Sequence, residues 1–278
     1  SVYHGGPDAM TTTAAWDQQS NVVNAEMGYA TAHAGDVNGD GFADVLVGFP
    51  GINEARLYLG SLTGLQATAV WTGTGSTVGE RFGAVVCGAG DVNGDGYSDV
   101  LIGAPAYDSY RGRAYVFLGS ASGLGPAYHW RVTGSATMVR YGEGLASAGD
   151  LNGDGYSDIV VSASMEAGDM GTVYAYHGGP AGLSTTASWT EVGWQINSWF
   201  GASLANAGDA NGDGYDDLLV GAMRYDEAGR MECGAVFLYR GSAAGLEATP
   251  FWTKYGDQAG SEFGIGLAFA GDLNGDGY

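Results

Sequence analysis

The sequence predicts an all-β protein, a β-propeller of four-stranded antiparallel blades. It has four complete repeats plus a split closing blade, about five blades in all. Three observations predict this. First, the phrase Gly-Asp-x-Asn-Gly-Asp-Gly recurs five times, with its first Asp at Asp36, Asp91, Asp150, Asp209 and Asp272. Second, other features keep fixed offsets from that Asp through length changes elsewhere in the unit. Nine residues before it stand Met27, Phe82, Tyr141, Phe200 and Phe263, each followed by Gly. Twelve residues after it come Gly48-Phe49-Pro50, Gly103-Ala104-Pro105, Ser162-Ala163-Ser164 and Gly221-Ala222-Met223. Gly-Leu pairs end at Leu65, Leu124, Leu183 and Leu246, and six residues after each stands Trp71, Trp130, Trp189 or Trp252. Third, 51 of 278 residues are Gly and 12% are aromatic, which reads as short strands joined by tight turns. A unit that cannot bury both of its faces alone must stack on its neighbours, and stacking about an axis gives a propeller.

Each unit divides into four strands. The first is the small-residue run before the repeated Asp, as in 82–89 or 200–207; its glycines suit strands that crowd near an axis. The second, 45–48, 100–103, 159–162 and 218–221, is apolar throughout and so is buried on both faces. The third, 55–59, 114–118, 173–177 and 235–240, ends at Gly-Ser or Gly-Gly, a turn signal. The fourth carries the Trp. No segment has a helical period. The full blades fall at 27–75, 82–135, 141–193 and 200–256. Residues 1–20 match a third and fourth strand, with Trp16 aligned to Trp189, and 263–278 match a first strand and a shortened acidic loop. A single propeller domain thus spans 1–278, with both ends expected in one closing blade. That blade lacks a second strand in this sequence, and its unpaired edge invites self-association.

The acidic loops read as cation sites. Asp36, Asn38, Asp40 and Asp44 put oxygen side chains at positions 1, 3, 5 and 9, with Gly41 for the sharp turn and the carbonyl of Phe42 at position 7. The pattern recurs in Asp91, Asn93, Asp95, Tyr97 and Asp99, in Asp150, Asn152, Asp154, Tyr156 and Asp158, and in Asp209, Asn211, Asp213, Tyr215 and Asp217. Ca²⁺ takes 6–8 oxygens in flexible geometry, whereas Mg²⁺ keeps waters and a strict octahedron. An EF-hand needs Glu at position 12; here that position is Val47, Ile102, Val161 or Val220, inside a strand. The alternative is a metal-free Asn/Asp-Gly turn. A turn does not need three carboxylates within nine residues, and these repel at close range without a cation. Four strong Ca²⁺ sites are therefore expected. A fifth, incomplete one would use Asp272, Asn274, Asp276 and Tyr278.

The charge agrees. Lys and Arg number 10 and Asp and Glu 31, for a net −21. The candidate ligand positions of the loops hold 14 of those acids, three in each of four and two in the fifth. Such a chain repels nucleic-acid phosphates and anionic membranes, so no nucleic-acid partner is expected. No apolar run is long enough for a membrane helix. Cys87 and Cys233 form no disulfide framework or zinc spacing and are expected to be small buried residues.

Together, Phe82-Gly83, Gly103-Ala104-Pro105 and the Asp-x-Asn-Gly-Asp-Gly-x-x-Asp between them resemble FG-GAP repeats, and the likeness covers essentially the whole chain. It departs at Met27, Tyr141, 162–164 and 221–223. The resemblance implies a propeller with Ca²⁺ in the loop between the first two strands of each blade. Such repeats form the N-terminal propeller of integrin α subunits and occur in bacterial extracellular proteins. It therefore implies a secreted or cell-surface adhesion module.

The sequence offers no HExxH, no G-x-S-x-G and no phosphate-binding G-x-x-x-x-G-K, so no enzyme is expected. A glycosidase would need acids off the metal loops, such as Glu166, Asp169, Asp226 or Glu227; solvated loop charges explain them equally. A protein or glycan ligand is expected on the connections after the second strands, 105–113, 164–171 and 223–233. Loops above a rigid scaffold carry binding residues, and Tyr107, Tyr110, Arg111, Arg224 and Tyr225 are types enriched at hot spots. Trp194 and Trp199 lie outside the repeat pattern and would stack on a sugar or pack between blades. A non-catalytic interaction module is thus the first functional expectation, and a lectin-like propeller the alternative.

Overall fold

A computed structural model describes residues 1–3 and 11–271. It contains four four-stranded antiparallel sheets, each in simple sequential strand order. Blade one is β1 (Thr31–Gly35), β2 (Asp44–Phe49), β3 (Glu54–Tyr58) and β4 (Trp71–Thr74). Blade two is β5 (Val85–Gly90), β6 (Asp99–Gly103), β7 (Arg113–Phe117) and β8 (Trp130–Thr133). Blade three is β9 (Tyr141–Gly149), β10 (Asp158–Ala163), β11 (Thr172–Tyr176) and β12 (Trp189–Val192). Blade four is β13 (Phe200–Gly208), β14 (Asp217–Ala222), β15 (Ala235–Tyr239) and β16 (Trp252–Tyr255). The all-β blade architecture read from the repeats is what the chain adopts. Single helical turns at Tyr107–Tyr110 and Glu166–Asp169 contain left-handed residues and act as turns.

Apolar strands make the core. β6 is buried along its whole length, as are β7 and β10. The clusters cross blade boundaries: Phe82 of blade two packs with Leu46, Ala55 and Leu57 of blade one. The repeated words have a steric cause at these boundaries. A Cβ on Gly48 would lie 1.9 Å from the Gly83 carbonyl, and one on Gly103 2.3 Å from that of Gly142. The Gly of one second strand thus touches the Phe-Gly or Tyr-Gly of the next blade, and only hydrogen fits.

The fourth-strand Trp is the second boundary device. Trp71 Nε1 donates to the Gly125 carbonyl at 2.9 Å, Trp130 to that of Ser184 at 2.8 Å, and Trp189 to that of Glu247 at 3.2 Å. Their rings stand edge-on to Phe117, Tyr176 and Tyr239 of the next blade, 5.0–5.2 Å away at 70–71°. Trp16 treats blade one in the same way, through the Gln66 carbonyl at 2.9 Å and Tyr58 at 5.0 Å.

The ends differ from expectation. Val2 and Trp16 form an antiparallel bridge, as a third and fourth strand should. The expected inner strand at 263–270 is not formed. Phe263 makes one parallel bridge to Gly234, and no strand follows through 271. No strand lies beside it as β10 lies beside β9, and Phe263, Ile265 and Phe269 stay exposed. Among the described residues no ladder joins this segment to 1–20. Cys233 is buried as expected, whereas Cys87 is only half-buried.

Candidate functional site

The acidic loops connect the first and second strands of each blade. Their ninth residue opens the second strand and is fully buried: Asp44, Asp99, Asp158 and Asp217. Asp99 accepts the Val92 N–H on one oxygen and the Gly119 N–H on the other, both at 2.8 Å. Asp44 does the same with Val37 and Gly60, Asp158 with Leu151 and Gly178, and Asp217 with Ala210 and Gly241. This residue staples the loop to the turn after the third strand. Burial, opposed by these two N–H groups, raises its pKa, to about 7 for Asp99 and Asp158 and to about 6 for Asp217. The neighbouring loop carboxylates push the same way.

Of the outer loop residues, the first-position Asp and the Asn are half-buried and the fifth-position Asp is exposed, and they bind the loop's own amides. Asp91 Oδ1 accepts from Gly94 and Asp95, and its Oδ2 from Gly96. Asn93 Oδ1 accepts the Asp95 N–H, its Nδ2 donates to Asp95 Oδ2, and Asp95 Oδ1 accepts the Tyr97 N–H. The other loops repeat this, with Asp36, Asp150 and Asp209 each accepting the amide five residues on. Among the described residues, no group of three or more His, Cys, Asp or Glu side chains converges to hold an ion. The donor chemistry nevertheless fits a hard divalent cation: every candidate side-chain ligand is an oxygen. None of the five ion pairs among the described residues involves a loop carboxylate. Among the described residues, the loop carboxylates therefore have no ion-pair partner. Asp272, Asn274, Asp276 and Tyr278 lie outside the described residues.

One feature escaped the sequence. Each loop is tied to the next: Ser98 N–H donates to the Asp36 carbonyl, Ser157 to that of Asp91, and Asp216 to that of Asp150, at 2.9–3.1 Å. The rings of Tyr97, Tyr156 and Tyr215 lie over Gly39, Gly94 and Gly153 of the preceding loop. The equal spacing of aromatic and glycine around the repeats was the available signal.

The connections after the second strands leave the opposite end of that strand. In 105–113 the Arg113 guanidinium lies over the Tyr107 ring at 3.3 Å and donates to Ser76 Oγ. Arg111 donates to the Gly134 carbonyl. Tyr110 is exposed and lines a cleft of about 420 Å³ with Tyr29, Arg81, Pro105, Arg140 and Glu143. In 164–171, Glu166 accepts from Ser135 Oγ and the Tyr174 hydroxyl. In 223–233, Tyr225 stacks on Tyr255 and Arg224 lies over Trp199 at 4.1 Å. Asp226 accepts the Glu232 N–H, and the Glu227 carbonyl accepts the Arg230 N–H. Trp194, after β12, packs edge-on against Phe237 of β15 while half its surface stays exposed. Of the predicted ligand residues, Tyr107, Arg224 and Tyr225 are thus occupied within the chain, and Tyr110 faces out.

Comparison with known proteins follows these features. Integrin alpha-4 of Xenopus laevis is 34% identical over 192 residues, covering 66% of this chain and 18% of that protein. Integrin alpha-8 of Mus musculus is 34% identical over 225 residues (74% and 21%), and integrin alpha-V of Gallus gallus 33% over 215 (73% and 20%). The chain spans about a fifth of the length of these relatives. Among solved structures, the Dos1 propeller aligns with a TM-score of 0.45 at 11% identity, covering 81% of this chain and 46% of that one. The exotype rhamnogalacturonan lyase YesX aligns at 0.44 and 15% (84% and 48%). Scores of this size carry no functional argument. The FG-GAP repeat profile matches residues 27–59, 82–117, 141–176 and 200–237, one stretch per blade. With half the chain matched, it belongs to the FG-GAP repeat family.

Proposed function

We propose that the chain is an extracellular, calcium-stabilised, non-catalytic adhesion or protein-interaction module. One observation carries this reading. Each second strand has a carboxylate loop at one end, and in blades two and four an aromatic- and arginine-bearing connection leaves the other. Similarity to integrin alpha chains supports an adhesion role at the cell surface or in secreted form. In each complete loop the oxygens at positions 1, 3, 5 and 9 and the carbonyl of Phe42, Tyr97, Tyr156 or Tyr215 would hold Ca²⁺. The ion would supply a counter-charge to the loop carboxylates. Asp272, Asn274, Asp276 and the carbonyl of Tyr278 would contribute to a fifth site in the same way. Engagement of the Glu166 and Asp226 carboxylates in loop hydrogen bonds supports a non-catalytic reading.

The protein-ligand surface centres on Tyr110 and its cleft. The test is binding of immobilised candidate protein ligands, integrin ligands first, by wild type and by Tyr110→Ala. Loss of a saturable interaction in the variant supports the reading. Binding that ignores Tyr110, Arg81 and Arg140 together refutes this placement. A second reading, a carbohydrate-binding propeller, rests on the half-exposed ring of Trp194. Glycan-array binding that disappears in Trp194→Ala would favour it over the first.

A further inference from the structure

The eighth residue of an acidic loop is not a candidate ligand, yet it is the residue that grips the loop before it. In blades two, three and four it is Ser98, Ser157 and Asp216. Each gives its N–H to the carbonyl of the first-position Asp of the preceding loop: Ser98 to Asp36 at 3.0 Å, Ser157 to Asp91 at 2.9 Å and Asp216 to Asp150 at 3.1 Å. Two of them also close the grip from the other side. Ser157 Oγ accepts the Asp91 N–H at 3.1 Å, and Asp216 Oδ2 accepts the Asp150 N–H at 2.7 Å. In blades two and three the first-position Asp is thus held by both polar atoms of its backbone, and the holder belongs to the next blade.

That eighth residue stands between two candidate ligands of its own loop, the carbonyl of the seventh and the carboxylate of the ninth. Both of these neighbours reach back as well. The seventh-position ring covers the glycine at position 4 of the preceding loop: a Cβ on Gly39, Gly94 or Gly153 would lie 2.8, 2.5 or 2.7 Å from the ring of Tyr97, Tyr156 or Tyr215. The ninth residue acts through the turn that it staples. Asp99 accepts the Gly119 N–H, and the adjoining Ser120 N–H donates to the Val37 carbonyl of the preceding loop at 3.0 Å. Gly179 does the same to Val92, beside Gly178 on Asp158, and Ser242 to Leu151, beside Gly241 on Asp217. Positions 7, 8 and 9 of one loop therefore bear on positions 4, 1 and 2 of the loop before it.

We propose that Ser98, Ser157 and Asp216 are positioning residues for the cation site of the preceding blade, so that neighbouring sites fill cooperatively. The coupling rests on the Ca²⁺ reading of the loops and goes beyond it, since independent sites would stabilise the fold equally well. Three carboxylates close together repel without a cation. Gathering them around one fixes residues 7 and 9 of that loop, and residue 8 between them. Residue 8 then holds the first ligand of the preceding loop in place, so part of the ordering cost of that second site is already met. By linkage the effect is reciprocal: filling either site favours the other. Asp216 should do more than Ser157, because its carboxylate also brings negative charge to the third loop.

The test is Ca²⁺ binding to the full chain by equilibrium dialysis, with the ion count at saturation measured separately. Asp216→Asn, which keeps an acceptor and loses the charge, and Ser157→Ala should each leave the saturating count unchanged and weaken one site about 10–100-fold. Asp154→Ala, which removes a ligand from the third loop, should lower the count by one and also weaken the remaining sites about 5-fold or more. Independent sites would leave the remaining isotherm unchanged. The double variant decides direction. With the third site already lost, Asp216→Asn should change the isotherm little; an undiminished effect means that Asp216 serves its own loop and overturns the proposal. Circular dichroism checks each fold. If Asp216→Asn misfolds, Asp216→Ser, which supplies the hydroxyl found at Ser157, should bind with an affinity between wild type and the predicted loss. A wild type that binds no Ca²⁺ refutes the Ca²⁺ reading and the coupling together. Ca²⁺ bound at sites indifferent to residues 154, 157 and 216 of their neighbours refutes the coupling alone.

Discussion

Truncating the same repeat residue in two blades should give very different losses of stability. Trp130 is almost wholly buried, stands 5.0 Å from Tyr176 and donates to the Ser184 carbonyl at 2.8 Å. Trp130→Ala removes a buried aromatic, which costs about 3–5 kcal/mol. It also removes a hydrogen bond worth about 0.5–1.5 kcal/mol, for a loss of about 4–6 kcal/mol. A chain of this size changes its melting temperature by roughly 2–4 °C per kcal/mol, so the drop should be about 8–24 °C. Trp252 carries the same side chain at the same point of the repeat, but it is half exposed and makes no such clamp among the described residues. Trp252→Ala should cost about 1 kcal/mol or less when measured at dilution, where most surface substitutions fall. Trp130→Phe, which keeps an edge-on ring and loses the N–H, should fall between them. The assay is thermal and urea unfolding of the three variants at one low concentration. Equal shifts for Trp130→Ala and Trp252→Ala would falsify the claim that the Trp acts as a clamp across the blade boundary rather than within its own strand.

Other perturbations reach other parts of the blade. Ca²⁺ should raise the melting temperature against chelator, because each site filled in the folded state alone adds roughly 2.7 kcal/mol at 100 times its dissociation constant; equal melts after verified removal of metal would contradict this. Asp95→Ala should lower the bound-ion count by one and leave the chelated protein's stability nearly unchanged, since Asp95 is exposed. Asp99→Ala should lose the ion and also destabilise the chelated protein, because two buried N–H groups lose their acceptor; identical behaviour of the two variants in chelator argues against the staple. Gly103→Ala should cost about 1–3 kcal/mol, since its Cβ would sit 2.3 Å from the Gly142 carbonyl; an unchanged urea midpoint would show that this boundary can open.

The blades were legible because their chemistry is local and repeated. Apolar runs such as 100–103 can only be buried strands, and fixed offsets tie each to its loop. Two things were not legible. The partners of the ninth-position Asp lie on a turn far along the chain: Asp99 meets Gly119, and spacing within the loop says nothing of that contact. The pattern pointed to a ligand at position 9, and the fold adds a staple. The ends were harder to read for a related reason. The likeness of 263–270 to a first strand is sound, yet a strand forms only beside a partner, and among the described residues Phe263 has one bridge, to Gly234, and no ladder. The Trp repeat was visible, but its acceptor carbonyls sit 54–58 residues away in the next blade.

The two ends of the second strand set how metal and ligand can interact. β6 begins at Asp99, in the acidic loop, and ends at Gly103, two residues before the connection that carries Tyr110. At about 3.3 Å per residue, the cation site and the ligand connection are roughly 15 Å or more apart. The screening length at physiological salt is about 8 Å, so a bound Ca²⁺ exerts little direct force on a ligand at Tyr110. The path that remains is mechanical: a filled loop holds the strand, and the strand holds the connection. Ligand affinity should therefore be the same with and without Ca²⁺ at temperatures where the chelated protein is folded, and should collapse together with the fold on heating. Surface-binding measurements across that temperature range, run beside melting curves, separate the cases. A Ca²⁺-dependent affinity well below the chelated melting temperature would mean that the ion touches the ligand or reshapes its loop, and the division of labour along β6 would be wrong.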